Sequence, residues 1–117
     1  MNFNEAIKAH SDWKMKLSAY LDKPDGSIKP EVVQLDNKCA LGQWIYGEGA
    51  SHQALPEYAT LKTEHAKFHK AAAEVVRKAD SGQNVTQEIA LGKQSEFGLC
   101  SHNVVAAIMA IKRKVQS

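Results

Sequence analysis

From Ala54 to Ala79 the apolar residues of this chain recur at the spacing of one helix face: Tyr58, Leu61, Phe68, Ala72 and Val76. A stripe of that period folds as a helix and not as a strand, because a strand would send its members to opposite faces. Two histidines, His65 and His69, lie on the same stripe four residues apart, one turn above the other. Inward imidazoles must find partners for their ring nitrogens once water is removed. Taken alone, the pair fits either two hydrogen-bonded core histidines or part of a metal site completed from other segments.

The long helix is expected to open near Pro56 and close around Asp80-Ser81-Gly82, with an alanine-rich second half of high helix propensity. Upstream, Phe3, Ile7, Trp13, Leu17, Tyr20 and Leu21 mark a first helix, capped by Asn2 or Asn4 and ended by Asp22-Lys23-Pro24-Asp25-Gly26. His10 falls between Ile7 and Trp13, on the inward stripe. Lys29 to Lys38 reads as a short helix with Pro30 early in it and Val32, Val33 and Leu35 on its apolar side. Another short helix is expected from about Cys39 to Tyr46, where Gly42 admits a neighbouring backbone and Gly47 and Gly49 end the segment. The last helix is expected from near Asn84 or Thr86 to about Val115, along Val85, Ile89, Phe97, Cys100, Val104, Ile108 and Ile111. Within it Gly92 and Gly98 mark a kink or a close crossing. No apolar run alternates with period two. The expectation is therefore all-α: an antiparallel four-helix bundle with one short or interrupted helical segment, formed as a single domain over residues 1–117.

With 15 basic and 13 acidic residues the formal charge is +2, which gives no electrostatic reason for a nucleic-acid partner. The compact basic group Lys112-Arg113-Lys114 suits the end of a helix. Two cysteines, Cys39 and Cys100, fall short of the disulfide framework of a small secreted protein. Neither a basic-then-apolar leader nor a run of about 18 apolar residues occurs. A cytoplasmic setting with reduced thiols, and no direct membrane insertion, is the expectation.

In such a bundle His10, Cys39, His65 and His69 gather at one level. Three imidazoles and a thiolate form a complete donor set for one tetrahedral zinc ion per chain. Binding would tie the first helix and the Cys39 segment to the long helix, contributing free energy of ordering. Each ligating ring would keep one N–H for an acceptor, with Asp12, Asp36, Glu64 and backbone carbonyls as candidates. One thiolate leaves the zinc site at a formal charge of +1, which a nearby carboxylate would offset. Cys100 reads as a small buried hydrophobe, His52 as an exposed loop residue, and His102 as a surface residue or minor alternative ligand. Trp13 and Trp44 are expected to pack around the metal.

His10-Ser11-Asp12-Trp13, Cys39-Ala40-Leu41-Gly42-Gln43-Trp44 and His65-Ala66-Lys67-Phe68-His69, in that order, closely resemble the chemoreceptor zinc-binding (CZB) domain family. Gln94-Ser95-Glu96-Phe97 and Asn103-Val104-Val105 are similar to the family's closing helix. The resemblance implies a bacterial cytoplasmic sensory or regulatory domain with a four-helix-bundle fold, often homodimeric. It implies zinc held by His10, His65, His69 and Cys39, and an association with a chemoreceptor or a cyclic-di-GMP synthase (diguanylate cyclase). In some members the cysteine is also implicated in sensing oxidants. These residues include no receptor signalling hairpin or cyclase domain, so the output is left unspecified.

Four protein ligands leave no coordination position open to water, and Ala66 stands where a metalloprotease helix needs glutamate. The chain is therefore not expected to be an enzyme. The expected function is a domain in which zinc occupancy, with Cys39 oxidation as a further input, modulates helix packing and signalling in a chemotaxis or cyclic-di-GMP system. The alternative is a structural zinc-binding interaction domain without a sensing role.

Overall fold

The computed structural model describes residues 2–23, 25–37, 39–81, 92 and 95–116. Helix α1 spans Phe3–Asp22 and starts where the Asn2 side chain accepts the N–H groups of Asn4 and Glu5, at 2.8 and 3.3 Å. Two short helices follow, α2 (Pro30–Val33) and α3 (Ala40–Tyr46), then a 3-10 turn over Glu48–His52. The long helix α4 runs Pro56–Asp80 with proline in its first turn, where a missing donor costs nothing. Helix α5 spans Glu96–Gln116.

The expected short helix over 29–38 is one turn long. Asp36 and Asn37 are poor helix formers, and the chain bends there to receive α3. A Cβ on Gly42 would stand 1.8 Å from the Asp36 carbonyl oxygen, so glycine is what lets α3 close on the preceding turn. The segment that descends between α1 and α4 is thus an interrupted helix, and Cys39 sits at its interruption.

Pairwise contacts set the directions of the elements. At the start of the interrupted segment Val33 meets His69 and Gln34 meets Arg77, and at its end Ile45 meets Tyr58, so it runs antiparallel to α4. Tyr20 near the end of α1 donates to Asp80 at the end of α4, at 2.6 Å, while His10 lies against His65 and His69. Helices α1 and α4 are accordingly parallel. Helix α5 runs against both: Phe97 packs on Phe68, and Lys112 reaches Asn4. The described residues form an up-down-up-down, all-α bundle.

A single helix from Asn84 or Thr86 onward does not hold across the described part. Residues 82–91 and 93–94, including Asn84, Val85, Thr86 and Ile89, lie outside the described residues. Gly92 and Ser95 are non-helical, and the Ser95 hydroxyl donates to the Gly92 carbonyl and accepts the Gly98 N–H, capping a fresh helix. A Cβ on Gly98 would lie 2.0 Å from that Gly92 carbonyl, so the close crossing expected at these glycines is real.

Leu17, Leu61, Phe68, Val76, Val104, Ile108 and Ile111 are fully buried and Phe97 nearly so. Each such side chain contributes roughly 1.5–3 kcal/mol by leaving water. The long helices therefore have an apolar core of their own, and the histidine cluster lies within its wall.

Candidate metal centre

Helical spacing on α4 puts His65 and His69 on the core side, with ring centroids 4.5 Å apart. Helix α1 brings His10 beside them, its ring 5.0 Å from His65 and 5.8 Å from His69. All three are buried, at 2% (His10), 0% (His65) and 4% (His69) exposure. Cys39 is half-buried at the N-cap of α3, where its sulfur also accepts the Gly42 N–H at 3.4 Å. Its Sγ stands 3.2 Å from His65 Nε2 and 3.6 Å from His69 Nε2, and the two Nε2 atoms are 3.0 Å apart. Ligand atoms of His10, Cys39, His65 and His69 all lie within 4.8 Å of one another.

Ring protonation follows from the outer contacts. His10 Nδ1 lies 2.8 Å from the Ala6 carbonyl and His69 Nδ1 lies 2.9 Å from the Val33 carbonyl. Carbonyls only accept, so both Nδ1 atoms carry the proton and both Nε2 atoms present lone pairs to the cluster. His10 Nε2 is buried with no hydrogen-bond partner. Burial pushes all three imidazoles below their ordinary pKa of 6.5, and His65, with His69 and His10 beside it, falls to about 3. Burial pushes the Cys39 thiol up. Cys39 Sγ and the His65 and His69 Nε2 atoms share hydrogen bonds, while His10 Nε2 turns an unpaired lone pair into the same space, where a cation would take up all four donors. Atoms about 2.0–2.3 Å from a tetrahedral centre stand roughly 3.3–3.6 Å apart, close to the separations among Cys39 Sγ and the His65 and His69 Nε2 atoms. The donor set fits one metal ion.

Among the acceptors expected for the free ring N–H groups, backbone carbonyls are the ones used. Glu64 turns outward to Lys67, and Asp36 accepts the Tyr46 hydroxyl at 2.6 Å. Asp36 nevertheless raises the pKa of His69 electrostatically, so it is the carboxylate near enough to offset cationic charge. His65 Nδ1 has no partner, while its Nε2 stands within hydrogen-bond distance of the His69 Nε2 lone pair and of Cys39 Sγ. Val33 was legible only as an apolar residue; its role comes from α2 ending there, which frees its carbonyl for His69.

The ligand rings pack on one another and on Phe68, which stands 5.2 Å from His10 and 5.6 Å from His69. Trp44 instead meets Phe3 and stacks on His52, and the Trp13 ring lies under the Lys16 ammonium. The expectation that the tryptophans pack around the metal is corrected to Phe68, which shares the His65/His69 helix face. Cys100 is buried on α5, as expected, and His102 is exposed there. Neither joins the cluster.

The sequence pattern of the chemoreceptor zinc-binding domain matches residues 10–76, more than half of the chain. The chain belongs to the CZB family. The matched span opens on His10 and contains Cys39, His65 and His69. No curated protein and no solved structure matches the chain. Among the described residues of this CZB domain, no helix is long and apolar enough to cross a membrane.

Proposed function

We propose that this CZB domain is a non-enzymatic sensory module that binds one zinc ion per chain through His10, Cys39, His65 and His69. The observation that carries the reading is the convergence of these four side chains within 4.8 Å, with His10 Nε2 buried and unpaired. Zinc held by these four residues would supply a redox-inert cross-link between the helices that carry them. The chain's own residues do the rest. Ala6 and Val33 hold two rings in the ligating tautomer, Asp36 offsets charge, and Cys39 gives up its thiol proton on binding. Three ligands stand on long helices and the fourth on the interruption between α2 and α3. Zinc occupancy would therefore hold the Cys39 segment against α4, and loss of zinc, or two-electron oxidation of the Cys39 sulfur by an oxidant such as hypochlorous acid, would release it. The readout is a change in helix packing passed, in a cytoplasmic homodimer, to a chemoreceptor or a diguanylate cyclase.

Native mass spectrometry with elemental analysis, on untagged parent and Cys39→Ala, tests the site. One zinc per chain in the parent and strongly reduced occupancy in C39A are expected; undiminished zinc in C39A removes Cys39 from the site. Stripping then separates sensing from a purely structural zinc: a sensor stays folded without its ion, whereas a structural site unfolds or aggregates.

A further inference from the structure

Two of the four candidate ligands, His10 and Cys39, also line a cavity of about 280 Å³ between the start of α1 and the start of α3. Two larger cavities, one along Trp13 to Val33 and one between Tyr46 and α4, touch none of the four. All three imidazoles are buried and Cys39 is half-buried, but only His10 and Cys39 border the cavity; His65 and His69 lie behind them. A solute in this cavity therefore meets the thiol and His10 before the other two rings. The walls are small, with Ala6, Ala9 and Ala40 among them, and Glu5 is the one charged residue in the lining. At about 30 Å³ per water, a divalent ion with an octahedral water shell takes roughly 180 Å³, which the cavity accommodates. A small chamber with a carboxylate and neither lysine nor arginine in its lining favours a hydrated cation over an anion or a bulky organic ligand.

Resting on the zinc-binding reading above, we infer that this cavity is the ion's route into and out of the site. Cys39 is the first ligand met on loading and the last left on release, and Glu5 draws the cation in. Affinity is then set by the four ligands and exchange rate by the chamber. A path travelled in both directions has a specific signature: an obstruction slows loading and release by the same factor and leaves their ratio unchanged.

The test places leucine in the chamber wall, as Ala9→Leu and Ala40→Leu, with Ala59→Leu in the wall of the cavity beside Tyr46 as the control. Stopped-flow mixing measures loading of stripped protein with zinc, and release of zinc to a chromophoric chelator; equilibrium titration and stoichiometry come from the same samples. Ala9→Leu and Ala40→Leu should each slow both rates by about fivefold or more with an unchanged dissociation constant, and Ala59→Leu should leave both alone. Glu5→Gln should slow loading roughly two- to threefold at low salt, the difference fading as salt rises. Absence of zinc from the parent would overturn the zinc reading itself. One zinc per chain with both wall variants exchanging at the parental rate overturns the route alone. Slowing in one direction only, with a shifted dissociation constant, overturns it as well.

Discussion

The two halves of the centre are built differently. His65 and His69 stand on a continuous 25-residue helix, buried among Leu61, Phe68 and Val76, and their spacing follows from helical geometry alone. Cys39 stands on a break in the chain, half-buried. It is held by the closeness of Gly42 to Asp36, the Tyr46–Asp36 hydrogen bond and a cap contact of its own sulfur. The imidazole half is present whenever α4 is folded. The thiol half rests on several small contacts around Asp36, so it is the half expected to respond to a change in metal occupancy.

Metal removal should separate the halves most. Amide exchange from Cys39 to Gly49 should accelerate about 100-fold or more on stripping, while amides from Leu61 to Val76 change by less than about fivefold. Identical protection with and without zinc in the first segment would erase the distinction.

Acid and alkali should then act on opposite halves of the stripped chain. The buried imidazoles sit below their unfolded pKa of 6.5, His65 at about 3. Their contribution is complete above pH 6.5 and is lost as pH falls toward 3, because the unfolded chain takes up protons that the folded one refuses. That loss is on the order of a few kcal/mol. The Cys39 thiol is raised above 9.0, so its contribution is kept below that pH and lost above it. Urea midpoints of chelator-treated protein from about pH 4 to about pH 10 should trace both edges, and a flat acid limb would contradict the buried, neutral rings.

Substitutions sharpen the contrast further. Gly42→Ala forces a methyl onto the Asp36 carbonyl and should cost about 2 kcal/mol in urea unfolding, with zinc affinity down about tenfold or more. Ala66→Gly, on the exposed face between the two α4 histidines, should cost about 1 kcal/mol of stability with zinc affinity nearly unchanged. Equal losses of affinity in the two would show that both halves are equally preformed. Tyr46→Phe removes the bond to Asp36 that pushes the tyrosine pKa up to about 12. With Tyr46 half exposed, a loss of about 0.5–1 kcal/mol, and about fivefold or less in zinc affinity, is expected by calorimetry.

The long elements were legible because their apolar spacing is a property of consecutive residues. The stripe through Tyr58, Leu61, His65, Phe68, His69, Ala72 and Val76 is the buried face of α4. His10 on the inward face of α1 was readable in the same way, and Gly42 as a point of close approach. Less legible was anything depending on where a helix stops. The Lys29 to Lys38 segment reads as helix by composition, yet ends after Val33, and Ser95 caps a helix where the sequence shows only a nearly continuous stripe weakened at Gly92 and Gly98.

What the sequence determined by itself was the donor set and its helical half. Residue type decides which atoms bind a borderline-soft metal, and the 3.6-residue period decides which of them share a face. What only the tertiary structure decided was the outer support of that site and the way into it. The Ala6 and Val33 carbonyls, the charge of Asp36 and the chamber at Glu5 and Ala9 arise where distant segments meet. Backbone groups are the same at every position, so nothing in a residue's identity announces that a neighbouring turn has left its carbonyl free.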